Sequence, residues 1–335
     1  MKYVSGKILT EKGFYKGYIG IERHKIKLKN KGKPPKKPIS KGLIVPSFIN
    51  FHTHIGDSFI RNKEKKLPRD IEKLVAPPDG IKHKFLKNAN QFEIVDGMEE
   101  SINIMLKTGT KFFCDFREKG IMGICELKTA LRDWKISSMI LSRPENIEYD
   151  KKEIDLLLRN SDGIGLSSIS EWKYSDIKKI AVDTKKKKKI FSLHASERIR
   201  EDIDKIIDLN PDFLIHMNMA NEKDLKKVKE KNIPIVICPR SNDFFKKSPN
   251  YELLKKTGND ILIGTDNCMI NKPDVLKEIK LIKKQTKAFS LEELLKMITI
   301  TPRKVLNPRA GILCLNSPAD LVVLDEKSLK VLYVS

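Results

Sequence analysis

From Leu43 to about residue 300, short apolar runs alternate with stretches in which apolar residues recur every three or four positions. The runs are 43–50, 110–116, 136–141, 163–168, 190–194, 213–216, 233–238 and 261–265. Their length predicts buried strands, and the intervening 93–107, 198–209, 222–231 and 273–284 predict amphipathic helices. Strands separated by helices make an α/β protein with a parallel sheet, and eight of them predict a closed (β/α)₈ barrel of the TIM type. An open doubly wound sheet is the alternative, but no Gly-rich phosphate loop follows any strand. We find no internal repeat beyond this alternation.

The two ends break the pattern. Residues 1–42 read as short strands turning at Gly13, Gly17 and Gly20, followed by the basic stretch Lys33-Pro34-Pro35-Lys36-Lys37-Pro38. Ala319–Asp325 reads as one more strand. We therefore expect residues 1–42 and 310–335 to form a small composite β-domain flanking a barrel over 43–309. The connection 55–92 is long for a strand-to-helix link, which suits a substrate-binding loop or lid.

Composition narrows the class. The 335 residues are 40% hydrophobic and 33% charged, as in a globular chain. No apolar run approaches the roughly 18 residues of a membrane helix, and Met1–Gly6 has no apolar signal core. Five scattered cysteines without a Cys-x-x-Cys spacing fit reduced thiols. A cytoplasmic protein is the expectation. The net charge of +22 raises the question of a polyanionic partner. Its lysines, however, are spread along the chain and interleaved with acids, as on a solvated exterior. The run Lys185–Lys189 precedes a strand, at the end of the barrel opposite the site predicted below.

The candidate chemistry sits where strands end. His52-Thr53-His54 closes the first apolar run, and side chains two apart share a face. His194, His216 and Asp266 close three later runs, and Glu197 follows His194 by three. Imidazoles and a carboxylate at the C-terminal mouth of a barrel make a plausible catalytic Zn²⁺ site, with Fe²⁺ accepting the same donors. An open coordination position would hold water whose pKa falls toward about 7. Spacing alone does not decide which of His194 and His216 binds metal. Glu197 also suits the first turn of a helix as a simple macrodipole partner, and His24 and His83 read as ordinary histidines, although His83 could reach the site from its loop.

Taken in order, these segments resemble the amidohydrolase superfamily, in its chlorohydrolase and nucleoside- or cytosine-deaminase-like branch. The resemblance runs from Gly42 to Leu324. Its markers are Gly42-Leu43-Ile44-Val45-Pro46 leading into His52-Thr53-His54, then His194-Ala195-Ser196-Glu197 and Ile215-His216. Pro239-Arg240-Ser241-Asn242, Gly264-Thr265-Asp266 and Ala319–Val323 follow. It implies one divalent metal held by His52, His54, His194 and Asp266, with Asp266 taking the proton of the attacking water. Glu197 would shuttle a proton to the ring nitrogen beside the attacked carbon, and His216 would polarise the developing alkoxide. At the fourth-strand position, where a bridging lysine would make a two-metal site, stand Ser167, Ser168 and Ser170, with Lys173 further on. One metal per chain is expected.

The function implied is hydrolytic deamination of an amino-substituted N-heterocycle. A ring-opening hydrolase of cyclic amides or imidazolones would use the same site. A basic nucleic-acid-binding protein is the third reading, disfavoured by 7% aromatics and no His-x-Glu with Pro-Cys-x-x-Cys. For a small-molecule substrate with an anionic group, Arg61, Arg117 and Arg240 are the candidates, since a guanidinium grips carboxylate or phosphate bidentately. Membrane partners are not expected, and a homo-oligomer is compatible with all of this.

Overall fold

The computed structural model describes residues 1–63, 66–76 and 79–335. Four N-terminal strands open the chain: β1 (Lys2–Thr10), β2 (Gly13–Glu22), β3 (Lys25–Lys31) and β4 (Ser40–Pro46). Eight barrel segments follow before the last helices: β5 (Phe48–His54), β6 (Thr110–Arg117), β7 (Ser137–Ser142), β8 (Gly163–Leu166), β9 (Ile190–Ala195), β10 (Phe213–His216), β11 (Ile235–Ile237) and β12 (Ile261–Ile263). The short β13 (Asp266–Asn267) comes next, and β14 (Leu321–Leu324) and β15 (Val331–Val334) end the chain.

Two sheets result. The first has the order β15-β14-β4-β1-β2-β3, so strands from both ends of the chain pair in it. The second is parallel, in the order β12-β11-β10-β9-β8-β7-β6-β5-β13. Its two edges, β12 and β13, are separated in sequence by Gly264-Thr265 alone, so the sheet curls round in the manner of a TIM barrel. Gly264 permits the approach: a Cβ there would stand 2.6 Å from the His52 Cβ. The Thr265 N–H then donates to the His52 carbonyl at 3.0 Å, and the Asn50 amide donates to Thr265 Oγ1 at 2.7 Å.

The helices cover this sheet because their apolar residues fall on one face. In Gln91–Lys107, the residues Ile94, Met98, Ile102 and Met105 are buried at three- and four-residue intervals. The Asn90 side chain caps that helix by accepting from the Glu93 N–H. Inside the sheet a second apolar cluster includes Phe51, Phe116, Phe213 and Val236. Phe116 forms the floor of the mouth, with ring centroids 4.5 Å from His52 and 5.2 Å from His194.

Three expectations change. The apolar run 43–50 is not one strand: β4 takes it to Pro46 in the first sheet, and β5 begins at Phe48 in the second. Apolarity is continuous across the break because both strands are buried. His52 and His54 stand at the C-terminal end of β5, as their spacing predicts. The helix expected from residue 198 starts at Ile203, capped by Asp202, so Glu197 sits in a loop and not in a helical first turn. In the long connection, Ile55–Asn62 forms a 3₁₀ helix, and Ile71–Leu74 and Ile81–Asn88 form short helices. Glu64, Lys65, Pro77 and Pro78 of that connection lie outside the described residues. Among the described residues no helix is long and apolar enough to cross a membrane.

Candidate metal centre

Four strands deliver the five residues of the site. His52 and His54 come from β5, His194 from β9, His216 from the last position of β10 and Asp266 from the first of β13. All five are buried. His216 and Asp266 adopt positive φ, 77° and 59°, which is uncommon for non-glycine residues and turns each side chain off the strand into the mouth. One nitrogen each of His52, His194 and His216 and one Asp266 oxygen lie within 4.8 Å of one another. His54 flanks this group, with its Nε2 3.5 Å from Asp266 Oδ1.

Proton positions follow from the outer partners. His194 Nδ1 lies 2.8 Å from the Leu166 carbonyl, which can only accept, so Nδ1 carries the proton and Nε2 a lone pair. His54 Nδ1 lies 2.8 Å from Glu118 Oε1, which fixes the same tautomer. Burial opposes the charge on Glu118, but Lys82, His54 and Arg117 hold it well below the usual carboxylate range. Neither ring nitrogen of His52 has a hydrogen-bond partner among the described residues, and its Nε2 faces Asp266 Oδ1 at 3.3 Å. Burial pushes His54 down to about 3 and His216 down to about 4, and holds His194 well below its ordinary value. Neutral imidazoles with lone pairs converging on one buried carboxylate are a donor set that fits a divalent ion.

His216 is built differently. With the Asn242 amide donating to its Nδ1 at 3.1 Å, the proton sits on Nε2, which points to Glu197 Oε1 at 3.4 Å. Glu197 is partly exposed where it lines the pocket. Burial, then the Asp266 and Glu171 charges, raise its carboxyl well above the ordinary value. Ser241 Oγ donates to Asp266 Oδ2 at 2.5 Å. Ser241-Asn242 thus orients the two groups that lie beside Glu197.

Residues 43–334 match the Amidohydrolase family. An uncharacterised protein of Methanocaldococcus jannaschii is 35% identical over 330 residues, covering 91% of this chain and 81% of that protein. The chain belongs to the amidohydrolase family. It is therefore a hydrolase of carbon–nitrogen bonds. A 5-methylthioadenosine/S-adenosylhomocysteine deaminase of Pyrococcus abyssi is 22% identical, over 89% of this amidohydrolase and 77% of that protein. The solved Helicobacter pylori aminofutalosine deaminase in complex with methylthio-coformycin superposes with a TM-score of 0.73 at 16% identity. That match covers 98% of this chain and 93% of the other.

The three arginines expected at the substrate end are elsewhere. Arg117 is fully buried, with Nη2 on Glu118 Oε2 at 2.8 Å and Nη1 3.5 Å from Asp115 Oδ1. Arg61 donates to the Cys268 carbonyl at 2.9 Å and pairs with Glu100 at 3.0 Å. Arg240 donates to Glu278 at 2.6 Å and to the Lys272 carbonyl at 2.7 Å. None of them lines the amidohydrolase pocket; Lys82, Arg143, Ser167 and Glu171 do. Arg143 directly follows β7, so the strand-end rule that found the histidines would have found it had the run been extended past Leu141. Lys82 carries no comparable signal, since it reaches the mouth from a short helix in the long connection. His83 stays off the metal residues, with its Nε2 3.1 Å from the Val75 carbonyl.

Proposed function

We propose that this chain is a mononuclear metal-dependent deaminase of an amino-substituted N-heterocycle. The observation that carries the reading is the pairing of His216 Nε2 with the raised carboxyl of Glu197, 3.4 Å apart, beside a donor set suited to one divalent ion. His52, His54, His194 and Asp266 would hold the ion, Zn²⁺ before Fe²⁺. When bound, such an ion supplies water acidified toward neutral pH and charge stabilisation at the attacked carbon.

The residues divide the remaining work. Asp266, oriented by Ser241, accepts the proton released as the water oxygen bonds to the amino-bearing carbon. Glu197, kept protonated by burial, donates to the adjacent ring nitrogen. The His216 N–H, fixed by Asn242, donates to the oxygen on which charge develops. The carbon–nitrogen bond then breaks: the amine leaves as ammonia with the proton returned by Asp266, and the hydroxyl proton passes to Glu197 as the carbonyl forms, restoring both carboxyl groups. The similarity to a protein named as a methylthioadenosine/S-adenosylhomocysteine deaminase supports this assignment. We further read the curled sheet as a closed (β/α)₈ barrel, the six-stranded sheet as a domain composed from both termini, and the location as cytoplasmic.

The test is ammonia release from a panel of aminated heterocycles by metal-loaded protein. Glu197→Gln should lower kcat by about 10³-fold while metal content stays at the wild-type value. Full activity in that variant removes Glu197 from the mechanism. Substrate consumption without ammonia moves the assignment to ring opening.

A further inference from the structure

Beside the metal pocket lies a second cavity of ≈ 730 Å³. The two share Arg143 and Ser167 in their walls. Besides Arg143, the cationic lining of the second is Lys84 and Lys87, both exposed, and Lys119, which pairs with Glu126. Its acidic lining is largely engaged or peripheral. Glu118 is already bound by Lys82 and Arg117, and Asp79 and Glu145 are exposed.

Arg143 is the unusual group. It is 8% exposed, yet its guanidinium makes no hydrogen bond or ion pair with any described residue, and its Nε is buried without a partner. A buried Nε–H with no acceptor costs free energy unless a partner meets it. Glu171, in the wall of the same pocket, does not come within ion-pair distance. The other buried arginine of this region, Arg117, shows the normal solution, since its fork is filled by Asp115 and Glu118.

Resting on the deaminase reading, we propose that the substrate ring carries an oxyanion substituent, a phosphate or a carboxylate. It occupies the second cavity and is gripped by the Arg143 guanidinium where the two cavities meet. The aminated ring then lies over the metal residues while the anionic group is held at the junction. This positions the amino-bearing carbon without using any residue of the proton relay. Lys84 and Lys87, exposed on helix Ile81–Asn88, add positive field at the rim. The substrate class is thus an amino-heterocycle with an acidic tail, of which a nucleoside monophosphate is one example and a carboxylated ring another.

The experiment compares kcat/KM for ammonia release on matched sets of aminated heterocycles bearing a neutral hydroxyl, a phosphate monoester or a carboxylate at the same position. The anionic member should exceed its neutral counterpart by about 10- to 100-fold, and the phosphate and carboxylate arms decide which oxyanion is preferred. Arg143→Met should reduce that preference to within a few-fold, and Arg143→Lys should retain part of it, because the charge stays and the fork is lost. Lys84→Glu with Lys87→Glu, both on the surface, should weaken the preference with unchanged melting temperature. That pair keeps the test decisive if Arg143→Met folds poorly.

Inorganic phosphate binding by the metal-loaded protein is the second readout. Binding that weakens in Arg143→Met supports the anion site even where no ring compound releases ammonia, in which case the deaminase assignment alone fails. Equal rates on neutral and anionic rings, or phosphate binding indifferent to Arg143, overturns the proposal.

Discussion

Asn242 decides what His216 can do. Its amide lies 3.1 Å from His216 Nδ1, and under the proposed mechanism this leaves the proton on Nε2 and makes His216 a donor toward the reacting oxygen rather than a metal ligand. Asn242→Leu removes that constraint from a buried position, so kcat should fall about 10²-fold while metal affinity stays at the wild-type value. Titration of metal into the variant, alongside its kinetics, checks this. A large loss of metal affinity would instead make His216 a ligand and displace His54 from that role. At this scale much of the chemistry is legible from the chain. His-x-His within a strand, and histidine or aspartate closing later strands, can be read from spacing. The tautomers are not, because they depend on Leu166, Glu118 and Asn242, which are distant in sequence from the rings they orient. The positive φ of His216 and Asp266 is equally silent: histidine and aspartate adopt it more readily than most residues, yet only in a small minority of cases.

Strands announce themselves by short apolar runs, and the observed β6, β7, β9 and β10 fall within a residue or two of those runs. The one run that misleads, 43–50, does so because the crossing between sheets is a single buried serine, Ser47, too short a polar break to mark it. Charge pairs between elements are harder still. Arg240 and Glu278 join the helix Pro239–Phe244 to the helix Val275–Gln285, and Glu278 is fully buried. Burial raises the Glu278 carboxyl, with Arg240 opposing, to about 7. A folded-state pKa above the unfolded one gives stability that is complete below about 4.5 and is lost as pH rises through about 7. Arg240→Met removes the opposing charge and steepens that loss. We expect destabilisation of about 3 kcal/mol at neutral pH, smaller at pH 5 than at pH 8, measured by denaturant unfolding at the two pH values. A penalty independent of pH would mean that Glu278 is not the group responsible.

Over the whole molecule, the candidate metal residues draw together strands that lie apart in the curled sheet, since His52 and His54 come from β5, Asp266 from its neighbour β13, and His194 from β9, four places away in the strand order. A bound ion is therefore also a clasp. At free metal about 1,000-fold above its dissociation constant, linkage adds about 4 kcal/mol to stability. Chelation should accordingly lower the melting temperature of the wild type, and His194→Ala should melt at one temperature with or without metal. Equal shifts in both would place the stabilising ion elsewhere. The net charge of +22 is dispersed over the exterior in pairs such as Lys227–Asp204 and Lys178–Asp208, whereas the second cavity concentrates positive groups beside the metal residues. That grouping was hidden in the sequence because Lys84 and Lys87, Lys119 and Arg143 come from three separate segments of the chain.

The central claim is that one ion, held by these residues, turns this chain into a deaminase. It is tested most directly by adding a divalent ion to metal-free protein and following ammonia release from a responsive aminated heterocycle. The rate should rise from background in proportion to bound ion and level off at about one equivalent per chain. Ammonia release independent of the ion, or saturation only at two equivalents, would contradict the mononuclear mechanism.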